Sequence, residues 1–197
     1  MGDPLWAKTH FELGGALCST PIAPRSPALN AAIAHYEAAL RVVTEADDPA
    51  NWGTTQNNLG NTYQHLPTGD RVANLRRAVE CYEAALRVRT EADDPSNWAM
   101  TQNNLGNAHA DLPTGDRGEN LRRAVECYQA ALRVRTEADD PAGWAGTQFN
   151  LGLVLREMGR LDESVHAFES AARVYESVGA PVQADEAKGE AETSRRM

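Results

Sequence analysis

Residues 52–97 contain one complete copy of a 46-residue sequence repeat and read WGTTQNNLGNTYQHLPTGDRVANLRRAVECYEAALRVRTEADDPSN. The next 46 residues, 98–143, match this stretch at 35 of 46 positions. Tryptophans recur at the same spacing, at Trp6, Trp52, Trp98 and Trp144. A period of this length is typical of an array of repeated structural units, and it argues against a globular enzyme core.

Each repeat predicts two helices, called helix A and helix B from here on. Helix A begins at an Asp-Pro pair such as Asp48-Pro49, because aspartate caps a helix N-terminus and proline suits the first helical position. Proline and glycine in Pro67-Thr68-Gly69 end it. Helix B is predicted from about Arg71 to Ala92. Its apolar stripe consists of Leu75, Val79, Tyr82 and Leu86.

A glycine recurs inside every helix A, at positions 14, 60, 106 and 152. Glycine in a helix costs about 1 kcal/mol relative to alanine, so its recurrence indicates that helix B approaches closely there. We expect Ala78 and Ala85 of helix B to form the other side of that contact.

The repeat resembles the tetratricopeptide repeat. The resemblance rests on a series that reads Leu59, Gly60, Tyr63, Ala78, Tyr82 and Ala85 in the second unit. Units of that family usually have about 34 residues, and the period of 46 also resembles the longer repeats of kinesin light chains and of bacterial signalling proteins. The fourth unit has the ordinary family spacing, with Gly159 at a tight turn.

The resemblance implies an all-α, right-handed α-solenoid of four helical hairpins plus a C-terminal capping helix. We expect a single domain over residues 3–195, with units at about 3–48, 49–94, 95–140 and 141–179. The capping helix is predicted over about 181–195, because alanines recur there at helical spacing in a polar segment. These are Ala180, Ala184, Ala187 and Ala191.

Composition excludes several classes of function. The formal net charge of −9 argues against a nucleic-acid partner, which usually needs a clustered basic surface. The three cysteines, Cys18, Cys81 and Cys127, lack metal-ligand spacing and favour a reduced, cytoplasmic protein. No run of 18 apolar residues occurs, so a membrane partner is not expected.

Catalytic residues, metal ligands and cofactors are not expected either. The sequence contains no P-loop, dinucleotide fingerprint, zincin helix or nucleophile elbow. The five histidines occupy unrelated positions of the repeat. The Glu-Ala-Asp-Asp-Pro runs lack the alternating ligands and central glycine of an EF-hand loop, and are interpreted as helix caps. An enzyme is therefore the weakest interpretation.

An asparagine-rich stripe on helix A is the candidate binding site. Residues 54, 57, 58, 61, 64 and 65 fall within about a third of the helix circumference, and the opposite face carries Gln56, Leu59, Gly60 and Tyr63. In the tetratricopeptide family such a stripe lines the concave surface. An amide can accept from a peptide N–H and donate to its C=O, which favours capture of an extended peptide. The predicted peptide-binding residues are Asn57, Asn61, Asn103, Asn107, Gln64 and His65, with Phe11 and Phe149 as apolar contacts.

Other interpretations remain open. Asn58, Asn104 and Asn150 share one repeat position, which commonly bonds to the scaffold itself. The predicted function is a protein–protein interaction scaffold, and the charge of −9 favours a basic peptide. The alternatives are a self-assembly module, which would stack through Leu5, Trp6 and Leu13 of the N-terminal hairpin, and a regulatory or sensor arm of a larger bacterial signalling effector.

Overall fold

The computed structural model describes residues 3–19 and 25–197. These residues form nine helices and no strand, so the predicted all-α class is confirmed. The helices are α1 (Pro4–Ser19), α2 (Arg25–Leu40), α3 (Pro49–His65), α4 (Arg71–Val88), α5 (Pro95–Asp111), α6 (Arg117–Val134), α7 (Pro141–Glu157), α8 (Leu161–Ser177) and α9 (Pro181–Arg196).

The chain divides into two compact units. Unit 1 comprises Met1–Asp94 and contains the hairpins α1–α2 and α3–α4. Unit 2 comprises Pro95–Met197 and contains the hairpins α5–α6 and α7–α8, followed by α9. Their border coincides with the predicted border between the second and third repeats. That all four repeats form a single domain over residues 3–195 stays a prediction.

The helix starts follow the predicted cap chemistry. The side chain of Asp48 accepts a hydrogen bond from the backbone N–H of Asn51 at 3.2 Å, and proline follows at the first helical position. Asp140 accepts in the same way from the N–H of Gly143 at 3.0 Å. These bonds satisfy backbone donors that have no partner inside the helix. The Asp-Pro pairs therefore begin α3 and α7 as predicted.

Helix B is shorter than predicted, because α4 ends at Val88 and not at Ala92. The cause is a turn in which the hydroxyl of Thr90 donates to the Asp93 carboxylate at 2.7 Å and accepts from the Asp93 N–H at 3.0 Å. This local bonding competes with helix continuation. The same Thr–Asp turn recurs at residues 44–47 and 136–139.

The glycine inside helix A is explained by an aromatic ring of helix B. A Cβ at Gly60 would lie 2.8 Å from Cε1 of Tyr82, and one at Gly152 would lie 2.8 Å from Cε1 of Phe168. The expectation that Ala78 and Ala85 form the other side of this contact is therefore wrong in detail. Both alanines are fully buried, but the ring occupies the space that the glycine leaves open.

The C-terminal helix covers one side of unit 2 as predicted. Ala184, Ala187 and Ala191 are buried on α9, and Ala187 belongs to an apolar cluster with Ala171 and Val174 of α8. The hydroxyl of Ser194 lies 3.1 Å from that of Ser164, which itself donates to the Gly152 carbonyl. These contacts hold α9 against the hairpin α7–α8.

Candidate functional site

The open face of helix A is narrower than the predicted stripe, because positions 57 and 64 of that stripe are buried. On α3 the half-buried and exposed side chains that follow one helical line are Thr54, Asn58, Asn61 and His65, called the α3 stripe from here on. The adjacent line, formed by Gly53, Asn57, Gly60 and Gln64, is buried. On α5 the residues equivalent to the α3 stripe are Met100, Asn104, Asn107 and Asp111.

Asn57 does not lie on an open surface. Its side chain is 1% exposed, and its Nδ2 donates to Oδ1 of the neighbouring Asn58 at 3.4 Å. The expectation that Asn57 faces a groove is wrong, because it shares the buried line with Gly60 and is not opposite to it. The accessible amide at this level of α3 is that of Asn58.

Asn61 is fixed from the scaffold side. The hydroxyl of Tyr82 on α4 donates to Oδ1 of Asn61 at 2.7 Å. Asn107 of unit 2 has the same relationship with Tyr128 on α6, also at 2.7 Å. One lone pair of each oxygen is thus already used, while the Nδ2 group carries two further N–H donors. These two amides are therefore available to a ligand mainly as hydrogen-bond donors.

Gln64 belongs to the same network and not to the open face. Its side chain is buried, and its Oε1 lies 2.9 Å from the hydroxyl of Tyr82. His65 is exposed, and its Nδ1 lies 2.8 Å from the carbonyl oxygen of Asn61. A carbonyl can only accept, so Nδ1 carries a proton in this contact and Nε2 is the ring nitrogen left to meet a ligand.

Asn103 bridges two helices of unit 2. Its Oδ1 accepts from Nδ2 of Asn150 at 3.4 Å, which links α5 to α7. Asn150 thus bonds to the scaffold, as the alternative interpretation of that repeat position predicts. Asn103 remains half-buried.

The two predicted aromatic contacts each pack on their own hairpin. The ring centroid of Phe11 lies 6.0 Å from that of Tyr36, and Phe149 meets Phe168 edge-on at 5.4 Å. Both phenylalanines are half-buried. Each therefore combines a packing role with a partly open apolar face.

A cavity of about 290 Å³ in unit 1 lies beside the α3 stripe. Asn58, Asn61 and His65 line it from α3, and Tyr36 lines it from α2. The asparagine pattern of the sequence does not indicate this cavity. The available signal was Gly15, which occupies the repeat position that Asn61 and Asn107 occupy in the next two units.

A histidine pair was also missed. Nδ1 of His10 on α1 lies 2.9 Å from Nδ1 of His35 on α2, and the ring of Trp6 contacts that of His10 with centroids 4.0 Å apart and a tilt of 35°. The two histidines are 25 residues apart in the chain, so only the folded hairpin brings them together. Their rings join α1 to α2.

The described residues contain neither a metal-binding cluster nor a membrane-spanning helix. No group of three or more His, Cys, Asp and Glu side chains within residues 3–19 and 25–197 is arranged to hold a metal ion. In the same part of the chain, no helix is long and apolar enough to cross a membrane.

Comparison with known proteins identifies the repeat. Residues 145–177, the hairpin α7–α8, match the family model described as tetratricopeptide repeat. No curated protein matches the chain at a significant level.

Solved structures share the fold at low sequence identity. The crystal structure of MamA is 20% identical with a TM-score of 0.55, over 86% of this chain and 90% of that chain. BtubC (BKLC) from P. vanneervenii is 18% identical with a TM-score of 0.57, over 98% and 89% of the two chains. MamA MSR-1 C2 is 17% identical with a TM-score of 0.52, over 98% and 97%. The resemblance and the solenoid fold class inferred from the sequence are thus confirmed: residues 145–177 form a tetratricopeptide repeat, and the chain has the all-α fold of tetratricopeptide-like solenoids.

Proposed function

We propose that this protein is a protein–protein interaction scaffold that binds an extended peptide segment along the open faces of its A helices. The match to the tetratricopeptide repeat and the similarity to the MamA fold support a scaffold. The observation that supports peptide binding most directly is the pair Asn61 and Asn107, whose oxygens are held by tyrosine hydroxyls while their Nδ2 groups remain to donate.

The chemistry of these groups favours a backbone as the ligand. Peptide carbonyl oxygens are acceptors at regular intervals along an extended segment, so an amide donor on a helix A can bind them with little dependence on sequence. Preorganisation by Tyr82 and Tyr128 lowers the entropy lost when the amides bind. The net charge of −9 favours a basic segment.

The proposed contact residues combine the predicted set with the observed placement. Asn61, Asn107 and Asn103 are the amide contacts, His65 contributes its Nε2, and Phe11 and Phe149 contribute apolar faces. Asn57 and Gln64 act indirectly, because they are buried and hold Asn58 and Tyr82. The same proposal includes a cytoplasmic location and no catalytic role.

A random-peptide display selection tests the proposal. The parent protein is compared with a double variant, Asn61→Ala with Asn107→Ala. The matched control is Asn30→Ala with Gln129→Ala, which removes two amides from exposed positions of helices B. We expect enrichment of peptides by the parent and the control, and loss of most enrichment by the double variant. No enrichment by the parent, or equal enrichment by all three proteins, would contradict peptide binding.

Self-association through α1 is a second candidate function. Leu5, Trp6 and Leu13 are 70%, 41% and 44% exposed. The residues at the same repeat positions as Trp6 and Leu13 in the second unit, Trp52 and Leu59, are buried. An open apolar face of this kind suits a second copy of the chain. We expect sedimentation velocity to show a concentration-dependent dimer that Leu5→Glu with Leu13→Glu abolishes, and a strictly monomeric parent would exclude it.

A further inference from the structure

The cavity in unit 1 lies at a place where the repeat pattern is broken. It is lined by Gly15 and Cys18 of α1, by Tyr36 of α2, and by Asn58, Asn61 and His65 of α3. In the second unit, the positions of Gly15 and Cys18 are occupied by Asn61 and Gln64. Both of those amide oxygens lie within hydrogen-bond distance of the hydroxyl of Tyr82.

In the other repeats, the aromatic residue of helix B and the residue that it faces on helix A are chemically complementary. Tyr82 faces Asn61 and Tyr128 faces Asn107, each across 2.7 Å. In the fourth unit both members of the pair change. Phe168, which has no hydroxyl, replaces the tyrosine, and Leu153 replaces the asparagine. Only the first unit keeps the tyrosine and loses the amide.

Tyr36 therefore has its hydroxyl beside a space and not beside an amide oxygen. A Cβ at Gly15 would lie 3.8 Å from that hydroxyl, which is ordinary van der Waals distance. Burial and the nearby thiol of Cys18 raise the pKa of the Tyr36 hydroxyl, and the sulfur of that thiol lies 3.3 Å from Oγ1 of Thr62. A thiol is a weak acceptor, so the site lacks the carbonyl oxygen that the two following repeats supply.

We propose that this cavity binds a primary carboxamide side chain, that of glutamine or asparagine, from the partner peptide. The oxygen of that side chain accepts from the Tyr36 hydroxyl and takes the place of the missing asparagine of the first repeat. This inference rests on the proposed function, because it assigns a residue preference to the part of the peptide-binding surface that lies in unit 1.

Charge and size select a neutral amide over other acceptors. No lysine or arginine occurs among the described residues that line the cavity, and the net charge is −9, so a carboxylate would enter without a fixed cation. Nδ2 of Asn61 offers a further donor, and Nε2 of His65 is the ring nitrogen left to meet the amide group. A volume of about 290 Å³ is at the small end for ligand sites and suits one side chain.

Titration with a small probe tests the preference. The probe is N-acetyl-glutamine N-methylamide, and the comparison probe is N-acetyl-methionine N-methylamide, which has a side chain of similar length without the amide. Backbone amide resonances of Gly15 and Cys18 report binding in the ¹⁵N-labelled full chain. We expect saturable shifts with the glutamine probe and at least tenfold weaker binding of the methionine probe. Equal binding of both probes, or no saturable shift, would overturn the proposal.

Two substitutions at one position provide the matched variants. Gly15→Asn supplies the missing amide from within the chain, and Gly15→Ala adds the Cβ alone. We expect Gly15→Asn to weaken binding of the glutamine probe at least tenfold more than Gly15→Ala does. We also expect Gly15→Asn to raise the folding equilibrium constant about fivefold more in the Tyr36 background than in the Tyr36→Phe background, the gain of one hydrogen bond.

The result separates this inference from the proposed function. If the display selection yields peptides but Gly15→Asn changes neither probe binding nor the coupling to Tyr36, the carboxamide pocket is wrong and the scaffold function stands. If the probe binds as expected but no peptide is enriched, the pocket exists and the extended-peptide function is wrong.

Discussion

The ring of Tyr128 lies so close to Gly106 that a Cβ at residue 106 would stand 2.7 Å from ring carbon Cε1. Tyr128 is itself buried, and burial raises the pKa of its hydroxyl. The same hydroxyl donates to Asn107, one residue after the glycine. A single tyrosine thus fixes the spacing of the hairpin and orients the amide on its open face.

Gly106→Ala is expected to destabilise the protein by about 1–3 kcal/mol. The new methyl group must displace a buried ring, and such overpacking outweighs the gain in helix propensity. Gly189→Ala is the matched control in the same unit, since no described heavy atom lies within 4 Å of a Cβ there, and it is expected to stabilise by about 0.5–1 kcal/mol. Urea denaturation of both variants measures the difference, and equal midpoints would refute the packing explanation.

Asp70→Ala is expected to destabilise unit 1 by about 1 kcal/mol. The Asp70 carboxylate accepts from the backbone N–H of Val72 at 2.8 Å and of Ala73 at 3.2 Å, and it therefore caps the start of α4. Asp70→Asn keeps an acceptor at the same place and serves as the control. Thermal unfolding of the two variants should place Asp70→Asn near the parent. A loss as large as that of Asp70→Ala would show that the charge, and not the cap, matters.

His109 is expected to make stability depend on pH. Its side chain is buried, its Nδ1 has no hydrogen-bond partner among the described residues, and burial followed by the nearby Arg123 lowers its pKa below the ordinary 6.5. The folded state resists protonation more than the unfolded state, so stability is complete above about pH 6.5 and falls as the pH drops below it.

His109→Leu checks this pH dependence. Leucine occupies the same repeat position at Leu155, so its shape suits the site. The variant should gain about 1–2 kcal/mol at pH 5, because it removes an unsatisfied buried polar atom and a group that must stay neutral. Its urea midpoint should change less between pH 7.5 and 5 than that of the parent. Parallel pH profiles of the two proteins would contradict the assignment to His109.

The three cysteines are expected to differ in reactivity. Burial raises the pKa of Cys81 to about 12, and Cys127 is buried at the equivalent position. Cys18 is half-buried and lines the cavity of unit 1. Because thiolate is the nucleophile, iodoacetamide at pH 7.5 should alkylate Cys18 first. Peptide mapping by mass spectrometry measures the order, with protein unfolded in urea as the control in which all three react. Modification of native Cys81 at the rate of Cys18 would be inconsistent with the described burial.

The sequence predicts helix starts better than helix ends. The Asp48-Pro49 start depends on chemistry within three residues, so it can be recognised locally. The end of α4 at Val88 depends on the Thr90–Asp93 turn, whose bonds compete with an amphipathic pattern that continues past it. The sequence correctly indicates that helix B packs closely against the glycine of helix A. It does not identify the contacting side chain, because an aromatic ring such as that of Tyr82 extends well beyond the backbone of its own residue.

The sequence predicts the kind of side chain at the candidate site but overestimates the width of the open face. Asn57 and Gln64 lie at one edge of the predicted stripe, which covers about a third of the helix circumference, and that edge is buried. The sequence pattern alone does not set that width, since Asn57 and Asn58 are both polar. The hydroxyl of Tyr82 on Asn61 required the position of α4. By contrast, the absence of a side-chain amide at Gly15 is visible in the sequence once the repeats are aligned.

The proposed peptide contact is a hydrogen-bond donation from Asn61 and Asn107 to the backbone of the bound segment. Its most direct test is the dissociation constant of a display-selected peptide, measured by calorimetry with the parent, with Asn61→Ala plus Asn107→Ala, and with the control Asn30→Ala plus Gln129→Ala. Two lost hydrogen bonds of about 1 kcal/mol each predict at least tenfold weaker binding to the first variant and unchanged binding to the control. Equal affinity for all three folded proteins would contradict the proposed contact.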